Sequence, residues 1–445
     1  MRRSLAAAAV LTLASPAHAS APTAPGERLA MAIEIADIDG VRGALKAKAD
    51  PNRPGLYGAS PLLRAVSKQN PSLVAALLAA RAKPDSADAA GLTPLTLACE
   101  LGNEDIVLQL IAAGADLRRP APDGSAPLAV CARFASAATV SQMLAKGAPA
   151  NSVDPRGLTP LMWAASSGNV EAARELLRAG ADANSVTEAG FSPLFFAIRS
   201  GVPEATRLLL EAEADAAHRG PENTSALQLA LYQSNFAAAA MLLPLGFDLA
   251  ERDREGLQPL HRAAAGGASD LVPALIAAGA DANAVTGPSK IKWVTEANFG
   301  MPPPPVPPTP PLFLAAQHGH AEAMRRLVAA GADPHFVPED GADLVTAAVR
   351  GGSTEALEFA LERIPDPNHA NAKGMTALHV LLFGGLQDEL EPMLTLLKSH
   401  GARTDIAMAG GATAAEIAAK GLTEVRVIFE RVFPEAKLPL QSAEE

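Results

Sequence analysis

The sequence predicts an all-α array of about twelve stacked helix-turn-helix repeats with turn or β-hairpin fingers between them. Three observations lead there. A leucine recurs every 33 residues, Thr-Pro or Ser-Pro precedes it in several copies, and the composition is 49% apolar but only 4% aromatic. Much of the apolar share is alanine, which suits helices packed closely through small side chains. A large β-sandwich would want more Val, Ile, Thr and aromatics.

The leucines are Leu29, Leu62, Leu95, Leu128, Leu161, Leu194, Leu227 and Leu260, spaced at 33 residues without exception. Leu312, Leu344 and Leu378 continue the series, and Ala415 closes it, giving twelve repeats over about residues 25–433. Other positions share the register. Apolar pairs recur at Leu77-Leu78, Leu110-Ile111, Leu176-Leu177, Leu209-Leu210, Leu275-Ile276 and Leu327-Val328. Gly114, Gly180, Gly279 and Gly331 are each followed by Ala-Asp. Seven aspartates (Asp50, Asp116, Asp182, Asp215, Asp248, Asp281 and Asp333) occupy one slot.

Each part of a repeat has a physical reading. The hydroxyl of Thr159 caps a helix, and Pro160 sits in its first turn, where a missing N–H costs nothing. That helix ends at Gly168, and a second runs from Val170 to Arg178 with Val170, Ala173, Leu176 and Leu177 at helical spacing. Gly180 stops it, because glycine takes the left-handed C′ conformation cheaply. Asp-x-Asn and "SVTEAG" then supply turn chemistry. One such unit cannot bury its apolar face alone, whereas stacked units can.

The pattern resembles the ankyrin repeat family. Gly157-Leu158-Thr159-Pro160-Leu161 matches that family's opening motif, and Gly180-Ala181-Asp182-Ala183-Asn184 its closing one. The resemblance implies an ankyrin-repeat solenoid over residues 25–434. Departures are local. Asn223 replaces the opening Gly of the seventh repeat, Glu213 replaces the closing Gly of the sixth, and Asp343 stands where Pro is expected in the tenth. The family's His after Leu is kept at His261 and His379.

No catalytic or metal constellation outweighs a structural reading. His318 and His320 have the spacing of a metal half-site, but His320 fills a slot where ankyrin repeats often carry a histidine for helix-to-helix hydrogen bonding. The recurring aspartates lie one per repeat, roughly 10 Å apart at ordinary helix spacing, and Ca²⁺ needs six or more oxygens about one point. No enzyme activity, metal or cofactor is expected. Trp163 occupies a first-helix slot normally filled by an apolar core residue and is expected to pack. The register places Cys99 and Cys131 on neighbouring helices. Pairing needs Cα atoms within about 7 Å, and two buried thiols are expected.

Function must then come from a surface. In the resembled family, partners are gripped by the first-helix face and the turn tips. The matching positions here include Tyr57, Lys68, Glu100, Arg133, Phe134, Arg156, Phe191, Arg199, Tyr232, Gln233, Arg254, Gln317, His318 and Arg350. Both tyrosines of the chain fall in this set. Tyr and Arg are common interface anchors.

One stretch interrupts the register. Between the eighth and ninth repeats the spacing exceeds the register by 19 residues, an insertion placed at residues 286–307 that includes Trp293, Phe299 and a proline-rich end. The proline part favours a stiff polyproline II arm. Trp293 and Phe299 either cap the groove beside them or fold onto neighbouring fingers.

The N-terminus is separate text. Arg2 and Arg3, the apolar run Leu5–Ala14 and Ala17-His18-Ala19 form the three-part pattern of a secretory signal peptide at residues 1–19. A short linker (20–24) follows, and a tail (435–445) ends the chain. Losing the signal with its two arginines and no acids takes the net charge from −11 to −13. Such acidity argues against a nucleic-acid partner. No later segment is apolar enough to span a membrane. The expected protein is therefore a monomeric, non-enzymatic, periplasmic or secreted scaffold of the bacterial cell envelope that binds another protein. The alternative is a secreted effector, inhibitor or immunity-type protein acting on a foreign or host protein.

Overall fold

The computed structural model describes residues 24–290 and 307–436. The expected signal peptide, most of the linker, Trp293 and Phe299, and the last nine residues lie outside the described residues. Twenty-four α-helices run from Pro25–Glu34 to Thr423–Val432 and form twelve consecutive pairs, one per repeat. No strand occurs among the described residues. An isolated bridge between Ala407 and Thr413 is the extent of β pairing there, so the described parts of the fingers are turns.

The described residues divide into two compact bodies. One holds the residues up to Ala164 together with Glu171–Asp182, and the other holds Ala165–Val170 and the residues from Ala183 onward. Within each body, first helices pack on first helices and second helices on second helices, which makes two layers. The core lies between the layers. Leu62, Leu95, Leu128 and Leu161 are fully buried in the first body, as are Leu194, Leu227, Leu260 and Leu312 in the second.

Helix starts follow the expected chemistry. Ser60 Oγ accepts from the Leu63 N–H at 3.1 Å, Thr93 Oγ1 from Thr96 at 3.1 Å and Thr159 Oγ1 from Met162 at 3.3 Å. Ser192 makes no such side-chain bond, and Pro193 alone marks that start. In the tenth repeat the helix begins one residue later than the leucine register places it. Asp343 is the cap, accepting from the Thr346 N–H at 2.8 Å, and Leu344 takes the proline position. Val345 then carries the register, keeping the 33-residue step from Leu312 and to Leu378.

The turns explain the aspartate slot. The carboxylates of Asp50, Asp116, Asp215, Asp248, Asp281 and Asp333 accept from the backbone N–H two residues on, at 2.8–2.9 Å. They are consumed in Asx turns. The asparagine in the same turn reaches the next repeat. Asn184 Oδ1 accepts from the Asp215 N–H at 2.7 Å, and its Nδ2 donates to the Glu213 carbonyl at 3.3 Å. Asn52, Asn151, Asn283 and Asn368 repeat this two-bond clamp. Glu213 and Asn223, the two replacements for glycine, keep the left-handed backbone of their slots, with φ of 58° and 60°.

The expectation of two free thiols is overturned. Cys99 and Cys131, both fully buried, form a disulfide with Cα atoms 4.5 Å apart. They lie on the first helices of the third and fourth repeats (Pro94–Glu100 and Pro127–Phe134). Ala98, Ala129 and Ala132 on these helices are also buried, and at the two cysteines the backbones come well within the reach of a disulfide.

Candidate partner-binding face

The ends of the first helices and the finger tips gather most of the residues singled out in the sequence, in two separate clusters. In the first body, the guanidinium of Arg133 lies 4.8 Å from the Phe134 ring centroid and 5.3 Å from that of Trp163. Arg156 approaches Trp163 at 5.7 Å while binding the buried Asp154 through two nitrogens at 3.0 and 2.6 Å. Trp163 is only half-buried, so it forms part of this surface as well as packing beneath it. Its slot reads as core because most other repeats put an apolar residue there, yet the slot borders the first-helix face. Nearby, burial pushes the Glu100 carboxyl upward, with the Asp123 charge adding to it.

Tyr57 and Lys68 take different roles. Tyr57 sits at a finger tip with φ +58° and is 88% exposed, while its carbonyl accepts from the Ala89 N–H of the next finger at 3.0 Å. A bulky residue held in the left-handed region is an outlier that the neighbouring finger must enforce. Lys68 is tied to Glu34 at 2.7 Å and holds that carboxyl below the usual carboxylate range.

In the second body, four of the expected residues line one groove. Phe191, Arg199, Tyr232 and Arg254 border a cavity of about 810 Å³ with Phe195, Glu222, Gln228, Arg252 and Lys290. The first helices Pro193–Ser200 and Ala226–Tyr232 supply the floor, and the fingers around Glu222 and Arg254 supply the walls. Arg199 lies 5.8 Å from the Phe191 ring centroid. Tyr232, 47% exposed, is flanked by Arg254 at 5.4 Å and Arg262 at 5.2 Å. Its hydroxyl accepts from Arg254 Nη2 at 3.1 Å. Cation–π contacts of this kind hold large side chains in place before a partner arrives.

Sequence reasoning did not single out Glu222, Gln228, Arg252 or Lys290. Lys290 belongs to the interruption of the register, so no repeat position pointed to it. His318 and Arg350 are exposed at the ends of their first helices, outside this groove. His318 stacks on His320 with centroids 6.2 Å apart. His320 Nε2 donates to the Ala265 carbonyl at 3.0 Å, which is the helix-to-helix bond expected of it.

The interruption itself has a defined base. In an ordinary finger, the Thr187 N–H donates to the Phe191 carbonyl at 3.0 Å, and Thr187 Oγ1 accepts from the Phe191 N–H at 3.0 Å. Thr286 and Thr309 make the same two bonds at the same distances. Between these bonds the sequence has residues 287–308 where the ordinary finger has the three residues 188–190. The first of them run along the preceding finger: the Gly287 N–H donates to Gly256 at 2.8 Å and the Lys290 N–H to Arg254 at 2.7 Å. The inserted chain thus sets out from the groove rim.

These features define a helical repeat protein whose singled-out side chains gather at the ends of its first helices and on its fingers. No group of three or more potential metal ligands occurs among the described residues. No described helix is long and apolar enough to cross a membrane. Family models described as ankyrin repeats match residues 29–121, 128–220, 227–276 and 312–408, and the chain belongs to the ankyrin repeat family. The gap from 277 to 311 contains the lengthened finger. Comparison with curated proteins finds no significant match. Among solved structures, the ankyrin repeat domain of Bcl-3, described as a unique member of the IkappaB protein family, is similar. It shows 27% identity over 46% of this chain and 93% of that one, with a TM-score of 0.40. Ankyrin repeats generally mediate protein–protein interaction, and no catalytic family is indicated.

Proposed function

We propose that this protein is a non-enzymatic, exported scaffold of the cell envelope that holds a protein partner in the groove of its second body, with the lengthened finger as a second contact. One observation carries the reading: Phe191, Arg199, Tyr232 and Arg254 share a single groove whose aromatic faces are already oriented by arginines. Preorganised aromatic and arginine anchors are what protein interfaces use. The Cys99–Cys131 disulfide supports export, because such bonds persist in oxidising compartments. Trp293 and Phe299 follow Lys290 closely in sequence, and a proline-rich stretch follows them. That order suits a projecting anchor on a stiff arm.

The test is capture from envelope extracts by three proteins: the wild type, Tyr232→Ala, and a variant in which Glu-Ala-Gly replaces residues 287–308 between Thr286 and Thr309. Both variants should melt like the wild type while losing most of a partner that the wild type retains. Undiminished capture by Tyr232→Ala would remove the groove from the proposal, and undiminished capture by the shortened finger would remove the second contact. Export is tested by the mass of the protein recovered from the periplasm or medium, which should begin at Ser20.

A further inference from the structure

The charges around the groove are unevenly matched. Each carboxylate lining it already has an arginine: Glu222 pairs with Arg254 at 3.7 Å, Glu251 with Arg219 at 2.8 Å and Asp253 with Arg262 at 2.7 Å. The lining cations are Arg199, Arg252, Arg254 and Lys290, and among the described residues only Arg254 has a carboxylate within 4.0 Å. Arg252 donates to the Val285 carbonyl at 3.1 Å, which neutralises nothing. Arg199 lies against the Phe191 ring, leaving the edge of its guanidinium for a partner. All three unmatched cations are exposed. A chain with net charge −11 therefore has a groove of the opposite sign.

The hydrogen-bonding groups agree. Tyr232 Oη accepts from Arg254 and retains its own proton to donate. With Arg199, Arg252 and Lys290, the groove offers donors to an incoming ligand, set beside the half-buried ring of Phe191 and the exposed ring of Tyr232. From the sixth repeat, which carries Arg199, to the eighth-repeat finger that carries Lys290 is two repeat steps, roughly 20 Å at ordinary helix spacing. An extended peptide covers that in about six residues.

We propose that the groove binds an extended, acidic peptide segment of a partner protein, whose carboxylates pair with Arg199, Arg252 and Lys290. This rests on the reading that the groove is the partner site. Charge complementarity selects the occupant. A basic segment would find every lining carboxylate already taken, and a purely apolar one would bury three unmatched cations.

The test uses a phage-displayed random dodecapeptide library selected on the full mature chain at low salt. Clones are re-measured on Tyr232→Ala, on Arg199→Gln/Lys290→Gln, and on the triple variant that adds Arg252→Gln. The double variant keeps the Arg252 bond to Val285, and melting curves verify that each variant is folded. Clones that depend on Tyr232 should be enriched in Asp and Glu. They should bind the double variant about tenfold more weakly, since exposed ion pairs contribute about 0.2–1 kcal/mol each, and should weaken further at high salt. Tyr232-dependent clones that are neutral or basic, or that ignore the charge substitutions, would overturn the acidic-partner inference and leave the groove standing as a protein site. No clone that depends on Tyr232 would overturn both.

Discussion

Acidification should weaken the junction between the eighth and ninth repeats, and His261 determines by how much. Its side chain is 0% exposed. Nδ1 accepts from the Gln258 N–H at 3.4 Å, and Nε2 donates to the Thr309 carbonyl at 3.2 Å. Only the neutral ring protonated on Nε2 makes both bonds, because an imidazolium has no acceptor left. Burial is the main cause that pushes its pKa from 6.5 to about 4, and hydrogen bonds to the Ala284 and Thr309 carbonyls oppose it in part. Between those values the unfolded chain binds a proton that the native protein refuses. Stability is therefore whole above about pH 6.5 and is lost as the pH falls toward 4. At about 1.4 kcal/mol per tenfold change, the full loss is about 3.5 kcal/mol, of which about 3 kcal/mol has gone by pH 4. Urea denaturation of the wild type and His261→Gln at several pH values from 7 to 4 isolates this contribution, because the other titrating groups are common to both proteins. The variant should be less stable at pH 7, and the gap should shrink by about 3 kcal/mol by pH 4. A gap that stays constant across the range would refute the reasoning.

Three further outcomes follow from the packing. Leu161→Ala removes a fully buried side chain and should cost about 2–5 kcal/mol, whereas His318→Ala, at an exposed position, should cost far less; equal shifts in the denaturation midpoint would contradict the register. Replacing both Cys99 and Cys131 with alanine opens a loop of 32-residue separation and should cost about 3–4 kcal/mol, with a similar change when the wild type is denatured under reducing conditions. Glu213→Gly relieves a left-handed residue at φ 58° and should stabilise by about 0.5–1 kcal/mol, read as a higher melting temperature.

The repeat was legible because its signals are local and redundant. Thr-Pro starts, left-handed glycines and Asp-x-Asn turns each fix a few residues, and all recur at the same spacing. Where one signal stood alone, it misled. Leu344 looked like the register residue of the tenth repeat, but the cap at Asp343 moves that role to Val345. The disulfide was missed for a different reason. Spacing places two cysteines on adjacent helices, but how closely those helices approach at the two residues depends on packing across two repeats, which spacing does not give. The candidate face was read through slots that border the first-helix surface, which is why Phe191, Arg199, Tyr232 and Arg254 were named together. The Trp163 slot reads as core because an apolar position does not reveal that its outer edge is open. Lys290 and Arg252 had no signal at all, since their roles come from which neighbouring charges are already paired.

The disulfide also has a mechanical consequence. A stack held by nearest-neighbour contacts yields to tension repeat by repeat, each 33-residue repeat releasing about 110 Å of chain. Cys99 and Cys131 are 32 positions apart, nearly one full repeat. A stretched oxidised chain keeps that length, about 110 Å, shut inside a covalent loop. The force passes across the bond between the first helices of the third and fourth repeats, and the segment from the end of one helix to the middle of the next bears none of it. In a mechanically crowded compartment, this gives one part of the first body an extension limit that the hydrogen-bonded repeats do not have.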